Sequence, residues 1–143
     1  MIYLDTNVII YAIENHPKYG KRCKQILEDI ESEKIKVNSS MLVLVECINV
    51  LTKLNKELKK QNKKVLDIRK NIDAILSLPI TWLDLNFAII KRASDYNYNI
   101  SGVDYTHIAT MELNFITKII SADEDFGKVE LIKRVDPLEY EQN

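Results

Sequence analysis

Short, mostly apolar runs of strand length recur along this chain, and almost every one is followed by a longer segment whose apolar residues return every three or four positions. Ile2 to Leu4, Ile35 to Val37, Ile80 to Leu83 and Lys118 to Ser121 are such runs, with a weaker one at Leu131, Ile132 and Val135. Between them Val8, Ile9, Ala12 and Ile13, and after Pro17 Cys23, Ile26, Leu27 and Ile30, have the spacing of a helix face. Further helices are expected from about Met41 to Lys53, over Val65 to Leu76, over Phe87 to Ala93 and from Val103 to Phe115. The first of these reads as apolar nearly all round, with Asn38, Ser39 and Ser40 as N-cap candidates. Lys56 to Lys64 is polar enough for a loop or an exposed helix end. Strands alternating with helices specify a parallel sheet, because each parallel neighbour needs a crossover and the helix supplies it. The expectation is an α/β fold, a three-layer α/β/α sandwich around a central parallel sheet of four or five strands, in a single domain over residues 1–143.

Composition narrows the function. With 46% hydrophobic and 29% charged residues the chain reads as a soluble globular protein. Its three glycines, Gly20, Gly102 and Gly127, lie too far apart for a glycine-rich nucleotide loop. Two cysteines, Cys23 and Cys47, are too few for a disulfide framework and lack C-x-x-C spacing, which fits a reducing, cytoplasmic setting. The opening residues have no basic segment followed by a long apolar one, so a secretory leader and a membrane anchor are not expected. Twenty basic against 21 acidic residues give a net charge of −1, which argues against coating nucleic acid by bulk electrostatics but leaves room for a local basic patch.

In an open parallel sheet, ligands bind beyond the carboxyl ends of the strands, so the residues following each strand carry the functional signal. Asp5 follows the first strand, Glu46 lies in the helix after the second, Asp104 opens the helix leading to the fourth, and Asp123 comes two residues past Ser121. Each aspartate also fits helix capping: Asp5 before Thr6, Asp104 three residues after Ser101, and Asp123 after the fourth strand. Glu46 resists that account, because it lies mid-helix in an apolar stretch where an unpaired carboxylate costs several kcal/mol. No basic residue lies between Lys36 and Lys53, so a basic partner must come from elsewhere in the fold, and a hard divalent cation answers the problem better. Phosphodiester hydrolysis uses such all-oxygen sites.

At this point the residues resemble a known family, the PIN-domain ribonucleases, and among them the compact VapC-type toxins of prokaryotic toxin–antitoxin pairs. Tyr-Leu-Asp-Thr-Asn-Val resembles the family's first motif, Leu-Val-Glu-Cys-Ile its internal acidic helix, Asp-Tyr-Thr-His-Ile-Ala-Thr its third motif, and Ile-Ser-Ala-Asp-Glu-Asp-Phe, with Phe126, its fourth. The resemblance spans nearly the whole chain. It implies a PIN-like fold and a catalytic, metal-ligating role for Asp5, Glu46, Asp104 and Asp123, with Asp125 as an alternative fourth acid and Thr6, Asn7 and Ser121 in support. It further implies Mg²⁺ or Mn²⁺, one or two ions, as cofactor, RNA as substrate, a cognate antitoxin as partner, and a homodimer.

His107 lies three residues after Asp104 on the same helix side, where it is either a base or phosphate contact or a locally packed histidine. Lys53, Lys56, Lys59, Lys60, Lys63 and Lys64 are candidates for RNA phosphate contact, a solvated helix face being the plainer meaning of such a run. Tyr96 and Tyr98 are candidates for base stacking or for packing. The expected function is a metal-dependent endoribonuclease, the toxin of a VapBC-type pair; the alternatives are a housekeeping RNA-processing PIN nuclease and a non-catalytic flavodoxin-like binding or receiver module. Against the receiver, Asp5 is followed by Thr6 and Asn7 rather than by a second acid.

Overall fold

The computed structural model, which describes residues 1–141, places five short strands in one sheet: β1 (Ile2–Leu4), β2 (Val37–Ser40), β3 (Thr81–Leu83), β4 (Lys118–Ile120) and β5 (Lys133–Val135). All neighbouring pairs are parallel and the order is β3-β2-β1-β4-β5. Six helices cross between the strands: α1 (Thr6–Ile13), α2 (Gly20–Glu31), α3 (Met41–Lys60), α4 (Ile68–Ser77), α5 (Phe87–Ala93) and α6 (Gly102–Leu113). A 3₁₀ helix, Glu124–Lys128, joins β4 to β5. The chain first lays strands to one side of β1 and then crosses to the other, so the topological switch point lies between β1 and β4. A flavodoxin-like sheet would run 2-1-3-4-5, and the receiver alternative fails on that order.

The two faces of the sheet carry separate cores because side chains alternate along each strand. Leu4 and Ile120 pack with Val8, Ile9, Ile26, Ile30 and Leu51 from α1, α2 and α3. Tyr3 and Ile119 face the other way, onto Ile108, Met111 and Phe126. Helices on both faces of a parallel sheet make the three-layer sandwich that the alternation of patterns specifies.

Several boundaries differ from expectation: β3 starts at Thr81 rather than Ile80, β4 ends at Ile120 rather than Ser121, and α6 runs over Gly102–Leu113 rather than 103–115, while four departures are larger. The second strand runs over Val37–Ser40 rather than 35–37, so Asn38 and Ser39 belong to the sheet and only Ser40 caps α3, accepting from the Leu42 N–H at 3.0 Å. Serines are poor strand formers by propensity, but buried Ser39 donates its hydroxyl to the Leu4 carbonyl of β1 at 2.8 Å, which satisfies it inside the sheet. Helix α3 continues to Lys60, and it is not buried all round: Val43, Cys47 and Leu51 form its buried stripe, while Met41, Val45 and Ile48 are exposed. Helix α4 begins at Ile68, leaving exposed Val65 outside it, because Asn55 clamps the Leu66 backbone through both its N–H and its carbonyl at 2.8 Å. The last strand starts at Lys133, after Leu131 and Ile132.

Gly20 opens α2 so close to α1 that an added Cβ would lie 2.8 Å from the Asn15 backbone carbon and 3.2 Å from the Tyr11 carbonyl oxygen. Gly20→Ala should therefore destabilise the protein by about 1–3 kcal/mol, read from urea unfolding; an unchanged midpoint would mean that the α1–α2 junction yields freely.

Candidate active site

Asp5 stands where β1 ends and α1 begins, at the switch point, and it is only 6% exposed. Its Oδ1 accepts from the Thr6 N–H at 2.7 Å, and its Oδ2 accepts from the Ser121 hydroxyl at 2.5 Å and the Asn7 amide at 3.1 Å. Asn7 also donates to Ser121 Oγ and accepts the Ala122 N–H, both at 3.1 Å, and Ser121 Oγ accepts the Asp123 N–H at 3.0 Å. Arg134 of β5 holds the same crossing from behind, donating to the carbonyls of Ser121 and Ala122 at 2.9 and 3.1 Å.

Glu46, Asp104 and Asp123 reach the same place from α3, α6 and the start of the 3₁₀ helix. Together with Asp5, Thr6, Asn7, Ile10, Tyr11 and Val50 they line one cleft of about 280 Å³. Carboxylate oxygens of Asp104, Asp123 and Asp125 lie within 4.8 Å of one another, close enough for an ion to bridge them. Among the described residues no Lys or Arg forms an ion pair with Asp5, Glu46, Asp104 or Asp123, whereas Asp125 pairs with Lys128 at 2.9 Å. An all-oxygen, acid-rich donor set without a basic partner for Asp104 and Asp123 fits a hard divalent cation.

Capping accounts for part of Asp5 and Asp123 but not of Asp104. Asp5 caps α1, Asp123 caps the 3₁₀ helix by accepting from the Asp125 N–H at 2.9 Å, and Ser101 rather than Asp104 caps α6.

Glu46 is a different matter, since its expected partner was a metal. His107 reaches its Oε1 with Nε2 at 2.5 Å, and the Thr6 hydroxyl donates to the same oxygen at 3.0 Å. Burial raises the Glu46 pKa, but these two hydrogen bonds and the nearby imidazole outweigh it and hold the carboxyl below its usual range. Burial lowers the His107 pKa, yet the bond to Glu46 and the charges of Asp5, Glu46 and Asp104 raise it on balance. Among the described residues no Lys or Arg pairs with Asp5, Asp104 or Asp123. Burial raises Asp5, and Asp104 is pushed up to about 6 by burial and by Asp5 and Asp123, against the lowering effect of Ser101.

The lysines divide by helix geometry. At about 100° per residue, Lys53 and Lys60 fall within about 40° of Glu46 around α3, some 10 and 21 Å along its axis from it. Lys56 and Lys59 turn toward Val65 and Ile68 instead, and Lys63 and Lys64 lie past the helix end. Tyr96 does not present a free ring: its hydroxyl bonds Glu112, Arg92 covers one face, and its ring packs beside Tyr98 and Tyr105. Sequence reasoning gave no role to Tyr3, quoted only as part of the first motif's apolar strand, or to Arg134, which lies 13 residues from the Ser121 carbonyl it holds.

The family model described as PIN domain matches residues 2–131. The chain belongs to the PIN-domain family. Among solved structures, a toxin–antitoxin complex from Klebsiella pneumoniae is similar at 18% identity and a TM-score of 0.65, covering 98% of this chain and 100% of that one. VapBC2 from Rickettsia felis, bound to a DNA fragment from its promoter, is similar at 19% identity and a TM-score of 0.65, covering 94% and 98%. VapC20 from Mycobacterium tuberculosis, a toxin that cleaves the sarcin-ricin loop, is similar at 20% identity and a TM-score of 0.66, covering 89% and 93%. No curated protein matches the chain by sequence. No helix among the described residues is long and apolar enough to cross a membrane.

The raised Asp104 pKa has a stability consequence. Folded Asp104 keeps its proton up to about pH 6, while the unfolded chain releases it near 3.8, so the folded state binds more protons in between. Stability from this group is full below the unfolded value and is lost as pH rises through the folded one. In the presence of chelator, Asp104→Asn should melt at a higher temperature than the parent protein at pH 7.5, and that advantage should shrink toward pH 4 in thermal unfolding.

Proposed function

We propose that this PIN protein is a metal-dependent endoribonuclease, acting as the toxin of a toxin–antitoxin pair. The observation that carries the reading is the convergence of Asp5, Glu46, Asp104 and Asp123 from four separate segments on one cleft at the β1/β4 switch point. In this reading the four acids hold one or two Mg²⁺ or Mn²⁺ ions, with Asp125 beside Asp123 as a further oxygen donor. When bound, the ion neutralises the carboxylates and stabilises negative charge on the phosphate under attack by water. The chain supplies the positioning: Thr6, Asn7 and Ser121 fix Asp5 and Glu46, and Lys53 and Lys60 attract the flanking phosphates along α3. Support for the toxin role comes from the likeness of the fold to toxin–antitoxin complexes. Growth arrest on expression, relieved by the product of an adjacent gene, separates this role from housekeeping RNA processing.

The purified protein should cleave an RNA pool with Mn²⁺ and stop with chelator. Asp5→Asn, Glu46→Gln and Asp104→Asn should each lower the rate by about 100-fold or more while the fold is retained. Mn²⁺ at ~100 times its Kd should add about 2.7 kcal/mol of stability by mass action, and these variants should lose it. Cleavage that proceeds without metal, or that survives in the Asp5 and Glu46 variants, defeats the mechanism.

The reading includes a second copy of the chain. Met41, Val45 and Ile48 of α3 and Leu85, Phe87 and Ile90 at α5 are exposed apolar side chains, and part of this surface is a groove of about 600 Å³. Val45→Glu combined with Phe87→Glu should convert a dimer to a monomer in light scattering; an unchanged mass would place the contact elsewhere.

A further inference from the structure

His107 is wholly buried, and both ring nitrogens are taken. Nε2 meets Glu46 Oε1 and Nδ1 meets the Tyr3 hydroxyl, each at 2.5 Å. The Tyr3 ring stands edge-on to the imidazole, with centroids 5.6 Å apart and planes at 66°. Tyr3 is itself wholly buried in β1, beside Ser40. An ionised Glu46 can only accept, so Nε2 carries the hydrogen whichever way the Tyr3 hydroxyl faces Nδ1. A histidine so enclosed presents no ring atom to the cleft and makes its contact there through Glu46. Of the two readings considered from the sequence, this burial favours the packed histidine over the base or phosphate contact.

The two donors to Glu46, His107 Nε2 and Thr6 Oγ1, converge on one oxygen, Oε1. No protein donor to Oε2 is recorded among the described residues, and Glu46 lines the cleft. Glutamate is a long side chain with three rotatable bonds, and on a half-exposed helix face it would sample several rotamers. Fixing one oxygen from two directions selects the rotamer and leaves the other oxygen for a ligand.

Building on the nuclease reading above, we propose that His107, anchored by Tyr3, is a positioning residue: the chain Tyr3–His107–Glu46 sets the rotamer of Glu46 and presents its Oε2 to a divalent cation. Partners behind a metal-ligating group commonly govern metal affinity by 10- to 100-fold. The anchor comes from the first strand and the imidazole from α6, so the arrangement couples a ligand on α3 to the sheet itself.

Mn²⁺ affinity, read from the electron paramagnetic resonance of free Mn²⁺, tests this without reference to cleavage. His107→Leu should weaken binding by about 10- to 100-fold. His107→Gln, which can offer a donor near the position of Nε2, should bind within a few-fold of the parent, whereas His107→Asn, whose amide reaches only toward Tyr3, should resemble the leucine variant. Tyr3→Phe should give a smaller loss in the same direction. In a Glu46→Gln background, His107→Leu should add nothing, since it acts through Glu46. If the leucine variant fails to fold, the glutamine and asparagine pair decides. Equal affinities across Gln, Asn and Leu, or an undiminished effect of His107→Leu in the Glu46→Gln background, overturns the proposal. A parent protein that binds no Mn²⁺ overturns the nuclease reading instead, and this one with it.

Discussion

A nearly buried carboxylate at the end of a central strand is the constraint on which this site depends. Asp5 would cost several kcal/mol as an isolated buried charge. It is accommodated because each oxygen receives donors: the Thr6 N–H on one, the Ser121 hydroxyl and Asn7 amide on the other. Those donors come from the ends of β1 and β4, which meet only because the strand order reverses there. Ser121 and Asn7 are thereby also committed to the segment that carries Asp123, through its N–H and that of Ala122. The same few hydrogen bonds close the fold and set two of the acids.

Capping and ligation are compatible explanations for these residues. A carboxylate has about four lone-pair positions, and a cap uses one. Asp5 and Asp123 cap the elements they precede, which holds their side chains at the cleft rather than diverting them from it. Asp104 has no capping duty, and it bears the most open sign of strain, with its pKa pushed up to about 6 by burial and its acidic neighbours. Gathering Asp5, Asp104 and Asp123 without a Lys or Arg partner among the described residues lowers stability by like-charge repulsion.

The near-neutral net charge conceals this division. Acids accumulate at one edge of the sheet while lysines are carried away from it along α3, and helix geometry returns only Lys53 and Lys60 to the face of Glu46. The apolar character of the same helix is likewise divided: Val43, Cys47 and Leu51 enter the core, and Met41, Val45 and Ile48 remain outside it. A run that looked uniformly buried in one dimension is two stripes on a cylinder, one of them exposed.

The alternation of strand and helix patterns, read alone, determined the parallel α/β architecture, and the acids following the strands marked the edge to inspect. These features are local: a periodicity of two or 3.6 and a residue just past a strand end are written within a few positions. Serines in β2 escaped because what holds them is remote: Ser39 and Ser40 pair with Trp82 and Leu83 of β3, and the Ser39 hydroxyl bonds the Leu4 carbonyl, 35 residues away. The partner of Glu46 escaped for the same reason, being 61 residues distant, and the anchor behind it is 104 residues from His107. Only the tertiary structure decided that Glu46 is held by His107 and Thr6, because groups so far apart in the chain meet only when a helix from each side of the switch point is packed against the same sheet.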